Sequence, residues 1–198
     1  MDQPLRAFTR NEVWYYLRVT PCPSCGHGPW HIEREDADAD RRHLTLRCRC
    51  GGCGREMCRT FEIATAPPEQ AGALAEVINP TDEPSRLIDL AQWVALFYRL
   101  LERAAGGGSK AETRRAGFQA ALCLGEALKF YAEGAEQPPA SAFFSDASCR
   151  AAREHPERFE RRRLLDLQGR LPALHVMAAN VQRDQRHGRR RWWQFWRR

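Results

Sequence analysis

Lysine is almost missing from this chain: of 31 basic residues among 198, only Lys110 and Lys129 are lysine. With abundant alanine, that bias matches the codon usage of a GC-rich genome, so arginine content alone names no ligand. A long apolar run is also absent. The longest, Leu87 to Leu101, spans 15 residues and contains Asp89 and Arg99. It is too short and too charged to cross a bilayer, which takes about 20 apolar residues. The N-terminus, MDQPLRAFTRNEVWYYL, has Asp2 and no uninterrupted apolar core before a small-residue cleavage site, so no export is expected and the expected compartment is the cytoplasm.

Catalytic signatures are missing too. There is no phosphate-binding glycine loop, no His-Glu-x-x-His helix and no strand-turn-helix nucleophile elbow. Glu102, Glu112 and Glu126 read as a solvated helix face, and His155 and His175 stand alone near prolines. No enzyme and no small-molecule substrate is expected. No internal repeat is present, and GGGS at 106 to 109 is the one low-complexity patch.

What is present suffices for a globular chain, with 43% hydrophobic and 28% charged residues. The net charge of +6 is unevenly placed. Residues 150 to 198 hold 14 arginines against 5 acids, a local +9, and the remainder is −3. Eight cysteines could form four disulfides, but in a reducing compartment closely spaced cysteines favour metal.

Those cysteines sit in a recognisable order. Residues 1 to 20 form a lead-in whose WYYLRV (Trp14 to Val19) is aromatic and β-branched enough for a strand or a covering segment. CPSCG (Cys22, Cys25, Gly26) follows. HIERE and HLTLRC then alternate on either side of the acidic loop EDADADRR, predicting a hairpin. CGGCG (Cys50, Cys53, Gly54) comes next, and REMCRTFEI puts Met57, Phe61 and Ile63 on one side of a third strand. Each Cys-x-x-Cys turn offers two thiolates to one ion, and two turns complete a tetrahedron. The glycine after each pair permits the left-handed backbone of a tight knuckle.

CPSCG, a hairpin, CGGCG and a following strand resemble the zinc-ribbon superfamily over about residues 20 to 63. The resemblance implies one structural Zn2+ and a small three-stranded sheet, while partners across that superfamily include DNA, RNA, proteins or none. The symmetric ligand set is Cys22, Cys25, Cys50 and Cys53. Cys48 could replace Cys50 in a C-x4-C pair, or stand as a strand residue in line with Leu44 and Leu46, and Cys58, His27 and His31 also lie close by. Four cysteine ligands leave zinc no open position to activate water.

Helical signals dominate the second half. After a proline-bearing linker at 64 to 84, with a short helical stretch at Gln70 to Val77, apolar residues from Leu87 to Leu101 recur at helical spacing and stop before the glycines. Ser109 and Glu112 form a capping box for a second helix running to about Ala132, giving a helical hairpin. Ser145 caps a short helix, Pro156 opens another faced by Phe159, Leu164, Leu165, Leu167 and Leu171, and Pro172 interrupts it. The expected class is α+β: a zinc ribbon with its lead-in over 1 to 63, the linker, a helical domain over 85 to 175, and a basic aromatic tail over 176 to 198.

In that tail Arg189, Arg190 and Arg191 and then Arg197 and Arg198 bracket Trp192, Trp193, Phe195 and Trp196. Indoles that stack on bases beside guanidiniums that contact phosphates suit single-stranded nucleic acid. The same residues suit a peripheral membrane anchor. They also suit a docking motif for a protein complex, or a segment folded back on its own helices. The leading expectation is a non-enzymatic binding or scaffold protein that contacts nucleic acid through this tail. The alternative is a membrane or protein-complex adaptor.

Overall fold

The computed structural model describes residues 3–40, 42–64 and 77–195, with side chains in the last helix described as far as Arg186. The chain is α+β and divides into two compact units, residues 1–89 and 90–198. Each is described by itself.

Among the described residues the first unit is a four-stranded sheet with one helix. Its strands are β1 (Leu5–Ala7), β2 (Trp30–Ala37), β3 (His43–Cys50) and β4 (Glu56–Ile63), and α1 (Arg10–Val19) follows β1. The sheet order is β1-β4-β3-β2. β2 and β3 form the expected hairpin, with Trp30 opposite Cys50 and Ala37 opposite Leu44. β3 pairs antiparallel with β4, placing Leu44 opposite Phe61. Period-2 alternation sends Leu44, Leu46, Cys48 and Cys50 to the interior with Phe61 and Ile63.

Two expectations need correction. The sheet has four strands rather than three, because Leu5–Ala7 adds beside β4 in parallel, with Leu5 opposite Phe61 and Ala7 opposite Ile63. WYYLRV, read as a strand or a covering segment, is not a strand but the body of α1, which covers the sheet at Phe61. Capping overrides its β-propensity: the Thr9 side chain accepts from the Glu12 amide, while the Glu12 carboxylate accepts from the Phe8 amide at 2.6 Å. Val13, Tyr15 and Leu17 are then buried, and Tyr16 meets Phe61 edge-on at 5.8 Å between ring centroids.

Glu12 also ties a distant segment down. Its side chain is fully buried and accepts from the Ser85 hydroxyl, which itself accepts from the amides of Leu87 and Ile88. Asn11 donates to the Val77 carbonyl at 2.9 Å, and Ile78 is buried. Residues 77–89 are thereby part of the first unit. The helical stretch expected at Gln70 to Val77 lies, apart from Val77, outside the described residues.

The second unit is all helical: α2 (Leu90–Ala105), α3 (Lys110–Leu128), α4 (Asp146–Glu154), α5 (Arg161–Gly169) and α6 (Leu174–Phe195), with short 3-10 turns at Ala140–Ala142 and Pro156–Phe159. The Ser109–Glu112 capping box forms as expected, at 2.9 and 3.3 Å, and Ser145 caps α4 at 3.1 Å. Trp93, Leu96 and Phe97 of α2 are buried, as are Phe118, Ala121 and Leu124 of α3. Leu164 of α5 is fully buried, and the Tyr131 hydroxyl holds the preceding turn by donating to the Phe159 carbonyl at 2.6 Å. Val181 of α6 is also buried, and Arg114 of α3 grips Asp184 of α6 through two bonds of 2.7 Å. The region read as a tail is thus helical in its backbone to Phe195, while Trp196, Arg197 and Arg198 lie outside the described residues. No described helix is long and apolar enough to cross a membrane.

Replacing Ser85 with alanine leaves the buried Glu12 carboxylate and two amides without their shared partner. Urea denaturation of the first unit should show a loss of about 1–3 kcal/mol, with α2–α6 unaffected. A loss below about 0.5 kcal/mol, the range of an ordinary surface substitution, would show that the contact carries no stability.

Candidate metal centre

Cys22 and Cys25 lie between α1 and β2, and Cys50 and Cys53 lie at the end of β3 and in the turn into β4. Local backbone bonding makes the two turns alike. The Cys22 amide donates to the His27 carbonyl at 2.6 Å, as the Cys50 amide does to Arg55 at 2.9 Å. The Gly26 amide donates to the Cys22 carbonyl at 2.8 Å, as Gly54 does to Cys50 at 2.9 Å. Both glycines have positive φ, +69° and +73°, where a side chain would be strained.

The hairpin brings these knuckles face to face. All four sulfurs lie within 4.8 Å of one another, Cys22 to Cys53 at 3.7 Å and Cys25 to Cys50 at 3.6 Å. Four sulfurs around a tetrahedral zinc at about 2.3 Å sit about 3.8 Å apart along each edge, so the donor set and its spacing fit that ion. All eight cysteines are free thiols. Cys22 and Cys50 are buried, Cys25 is half-buried and Cys53 is exposed. Among the described residues no other group of three or more cysteines, histidines or acids converges in this way.

The surroundings hold the knuckles in place. Pro29 accepts from the Gly51 amide at 2.9 Å, the Gly52 amide reaches the Cys50 sulfur at 3.4 Å, and Arg55 of the second knuckle donates to the Ser24 hydroxyl of the first. Glycine at 51 leaves room for the His31 ring, since a Cβ there would lie 2.6 Å from its Nε2, whereas one at Gly52 would sit in ordinary contact, 3.5 Å from the Cys25 sulfur. Arg55 and Pro29 escape sequence reading because nothing marks a carbonyl or a guanidinium as a knuckle support until the fold pairs it.

The other sequence candidates fall away from the cluster. Cys48 is buried on β3 in line with Leu44 and Leu46, and burial, with Cys58 and Glu33 nearby, pushes its thiol up to about 11. Cys58 is exposed on β4. His27 and His31 are exposed, His27 bonding the Cys25 carbonyl through Nδ1. One reading of the acids is overturned: Glu126 is buried and paired with Lys129 at 2.8 Å, although Glu102 and Glu112 are exposed. Of the tail residues, Arg189 to Phe195 have helical backbone.

Compared with family models, curated proteins and solved structures, the chain matches none. The zinc-ribbon likeness therefore rests on the four cysteines and the hairpin that joins them.

Proton sharing within the cluster is uneven. Burial pushes the Cys22 thiol up, but the amides of Ser24 and Cys25 and the thiols of Cys53 and Cys50 outweigh it and bring it down to about 6. The amide at His27 pulls Cys25 down, but burial and the three neighbouring sulfurs carry it up to about 12.

Thiolates bind metal and thiols do not, so affinity falls with acid. At pH 7 Cys22 already carries its charge; below about 6 it too must release a proton. Competition titration with a chromophoric chelator should show affinity falling as pH drops, the slope steepening by about one tenfold step per pH unit below about pH 6. An unchanged slope from pH 7.5 to 5 would refute the assignment of Cys22. Cys50→Ser should abolish one-to-one zinc binding and unfold the first unit while helical circular dichroism from α2–α6 persists. Cys48→Ala and Cys58→Ser should keep full stoichiometry.

Proposed function

We propose that the protein is a non-enzymatic zinc-ribbon module. One structural Zn2+ is held by Cys22, Cys25, Cys50 and Cys53, and the module is joined to a helical unit that contacts nucleic acid. The observation that carries the zinc reading is the convergence of four sulfurs from two hydrogen-bonded knuckles. Four protein thiolates fill a tetrahedral shell, so the ion's contribution is to stabilise a small sheet rather than to activate water.

The nucleic-acid reading is supported by how arginines are used. In the first unit several exposed arginines meet acids, Arg6 with Glu62, Arg34 with Asp36, Arg49 with Glu33 and Glu56, Arg86 with Glu83, while Arg42 and Arg47 form no ion pair among the described residues. Between residues 150 and 186, Arg150, Arg153, Arg158, Arg161, Arg162, Arg163, Arg170, Arg183 and Arg186 form no ion pair among the described residues. An unpaired guanidinium is free to exchange water and counterions for phosphate. Helix α6, anchored on α3 by Val181 and the Arg114–Asp184 pair, continues toward Arg189, Arg190, Arg191, Trp192, Trp193 and Phe195, followed by Trp196, Arg197 and Arg198.

Fluorescence anisotropy with a labelled single-stranded oligonucleotide tests this reading. Log affinity should fall linearly with log salt, by about 0.7 per phosphate contacted, and deleting residues 187 to 198 should weaken binding by about tenfold or more. Binding indifferent to both salt and the deletion would sink the proposal. Pelleting with anionic vesicles that depends on Trp192, Trp193 and Trp196, without oligonucleotide binding, would replace it with membrane attachment.

A further inference from the structure

We propose that a cavity at the β1 end of the sheet is a binding site for a small apolar carboxylate. The cavity has a volume of about 260 Å3 and is lined by Arg6, Ala7, Phe8, Glu62, Ala64 and Arg86. The sequence singles out none of these residues as a ligand contact, because they come from β1, the end of β4 and the segment that Glu12 latches down.

Backbone bonding fixes the floor. The Ala64 amide donates to the Ala7 carbonyl at 2.8 Å, continuing the parallel pairing of β1 with β4, and the Phe8 amide is taken by Glu12. No backbone donor of Phe8 or Ala64 is left over for a polar ligand there. With two alanine side chains and a phenyl ring as lining, this part of the cavity suits an apolar body.

The mouth is different. Arg6 makes one contact among the described residues, Nε to Glu62 at 3.2 Å, and Arg86 makes one, Nη2 to Glu83 at 3.1 Å. A guanidinium carries five N–H donors, so four on each remain unused. Both side chains are mostly exposed, 68% and 62%, and can turn onto a ligand without losing a buried contact.

Charge then selects the ligand. Each guanidinium already faces one carboxylate, Arg6 that of Glu62 and Arg86 that of Glu83, so the unused donors rather than a net positive charge favour one anionic group, while the two glutamates oppose a second. A planar carboxylate matches the guanidinium fork. The volume lies just below the range of drug-sized pockets, which limits the ligand to a short chain. Two sources share this chemistry: a free aliphatic acid, and the C-terminal carboxylate of a peptide ending in an apolar residue.

Amide-resolved NMR titration of the full-length, zinc-replete chain provides the test, with hexanoate, acetyl-Ala-Leu bearing a free carboxylate, and the same dipeptide as its C-terminal amide as probes. At least one of the two acids should move the amide signals of Ala7, Phe8 and Ala64 in a saturable way, and the C-terminal amide should not. Arg86→Gln, a change of an exposed side chain, should weaken the binding acid by about tenfold or more, the loss of one charge-assisted contact. Hexanoate binding without the peptide would identify the source as a free acid; tighter peptide binding would identify a chain terminus. The proposal falls if neither acid moves these signals, if the C-terminal amide binds as well as the acids, or if Arg86→Gln leaves affinity unchanged. None of these results bears on oligonucleotide binding, so the two proposals fail separately.

Discussion

Sulfurs 3.6 and 3.7 Å apart are at contact distance, and as thiolates they would repel one another through a poorly solvated gap. Against its burial, the amides of Ser24 and Cys25 and the neighbouring thiols favour the first charge on Cys22, while against the amide at His27, burial and the three other sulfurs hold the proton on Cys25, so each later charge is harder to form. A proton or a metal ion among the four relieves the repulsion. The rest of the first unit is arranged around this demand. The hairpin carries Cys50 back opposite Trp30, next to the first knuckle, and the matched amide-to-carbonyl bonds around Gly26 and Gly54 hold each pair of sulfurs in a fixed turn.

A sheet this small needs such help. The first unit spans at most 89 residues, a size at which one core supplies little surplus stability. Its alternating buried residues, Leu44, Leu46, Phe61 and Ile63, cover one face of four short strands. α1 closes that face because Glu12 does three jobs at once: it completes the helix start, accepts from Phe8, and binds Ser85 of the segment that ends the unit. A buried carboxylate with fewer partners would cost more than it returns. The helical unit is built differently. Trp93, Phe97 and Leu124 are buried in the helical hairpin, Leu164, Phe159 and Val181 are buried on the later turns and helices, and Glu126 is the buried acid of this unit among the described residues.

How far these features can be read from sequence depends on how local they are. The knuckles, the hairpin, the Ser109–Glu112 box and the Ser145 cap each lie within a few residues or in one alternating pattern, and they are legible. Thr9-Arg10-Asn11-Glu12 has the same cap spacing as Ser109 to Glu112, yet the aromatic run behind it suggests a strand. The hydrogen bonds at the cap outweigh a propensity that reflects packing more than backbone preference. β1 could not be read at all, since three residues acquire a strand's identity only by lying beside Phe61 to Ile63 across more than fifty residues. Glu126 reads as solvent-facing by type and is buried because Lys129 lies one turn on to neutralise it.

Nearly all the chain's cations are arginine, so residue type cannot separate structural from functional charge. Pairing can. Arg49 lies between Glu33 and Glu56 across three strands, and Arg114 is committed to Asp184; such groups would have to break an existing contact before meeting a phosphate. Arg158, Arg162 and Arg163 have no such contact and sit on a turn and helix pinned by Phe159 and Leu164. Binding there costs little reorganisation. Among the described residues, α5 is thus a place where arginines without an ion pair gather, although Asp166 lies within the same helical turn and limits how much positive charge accumulates.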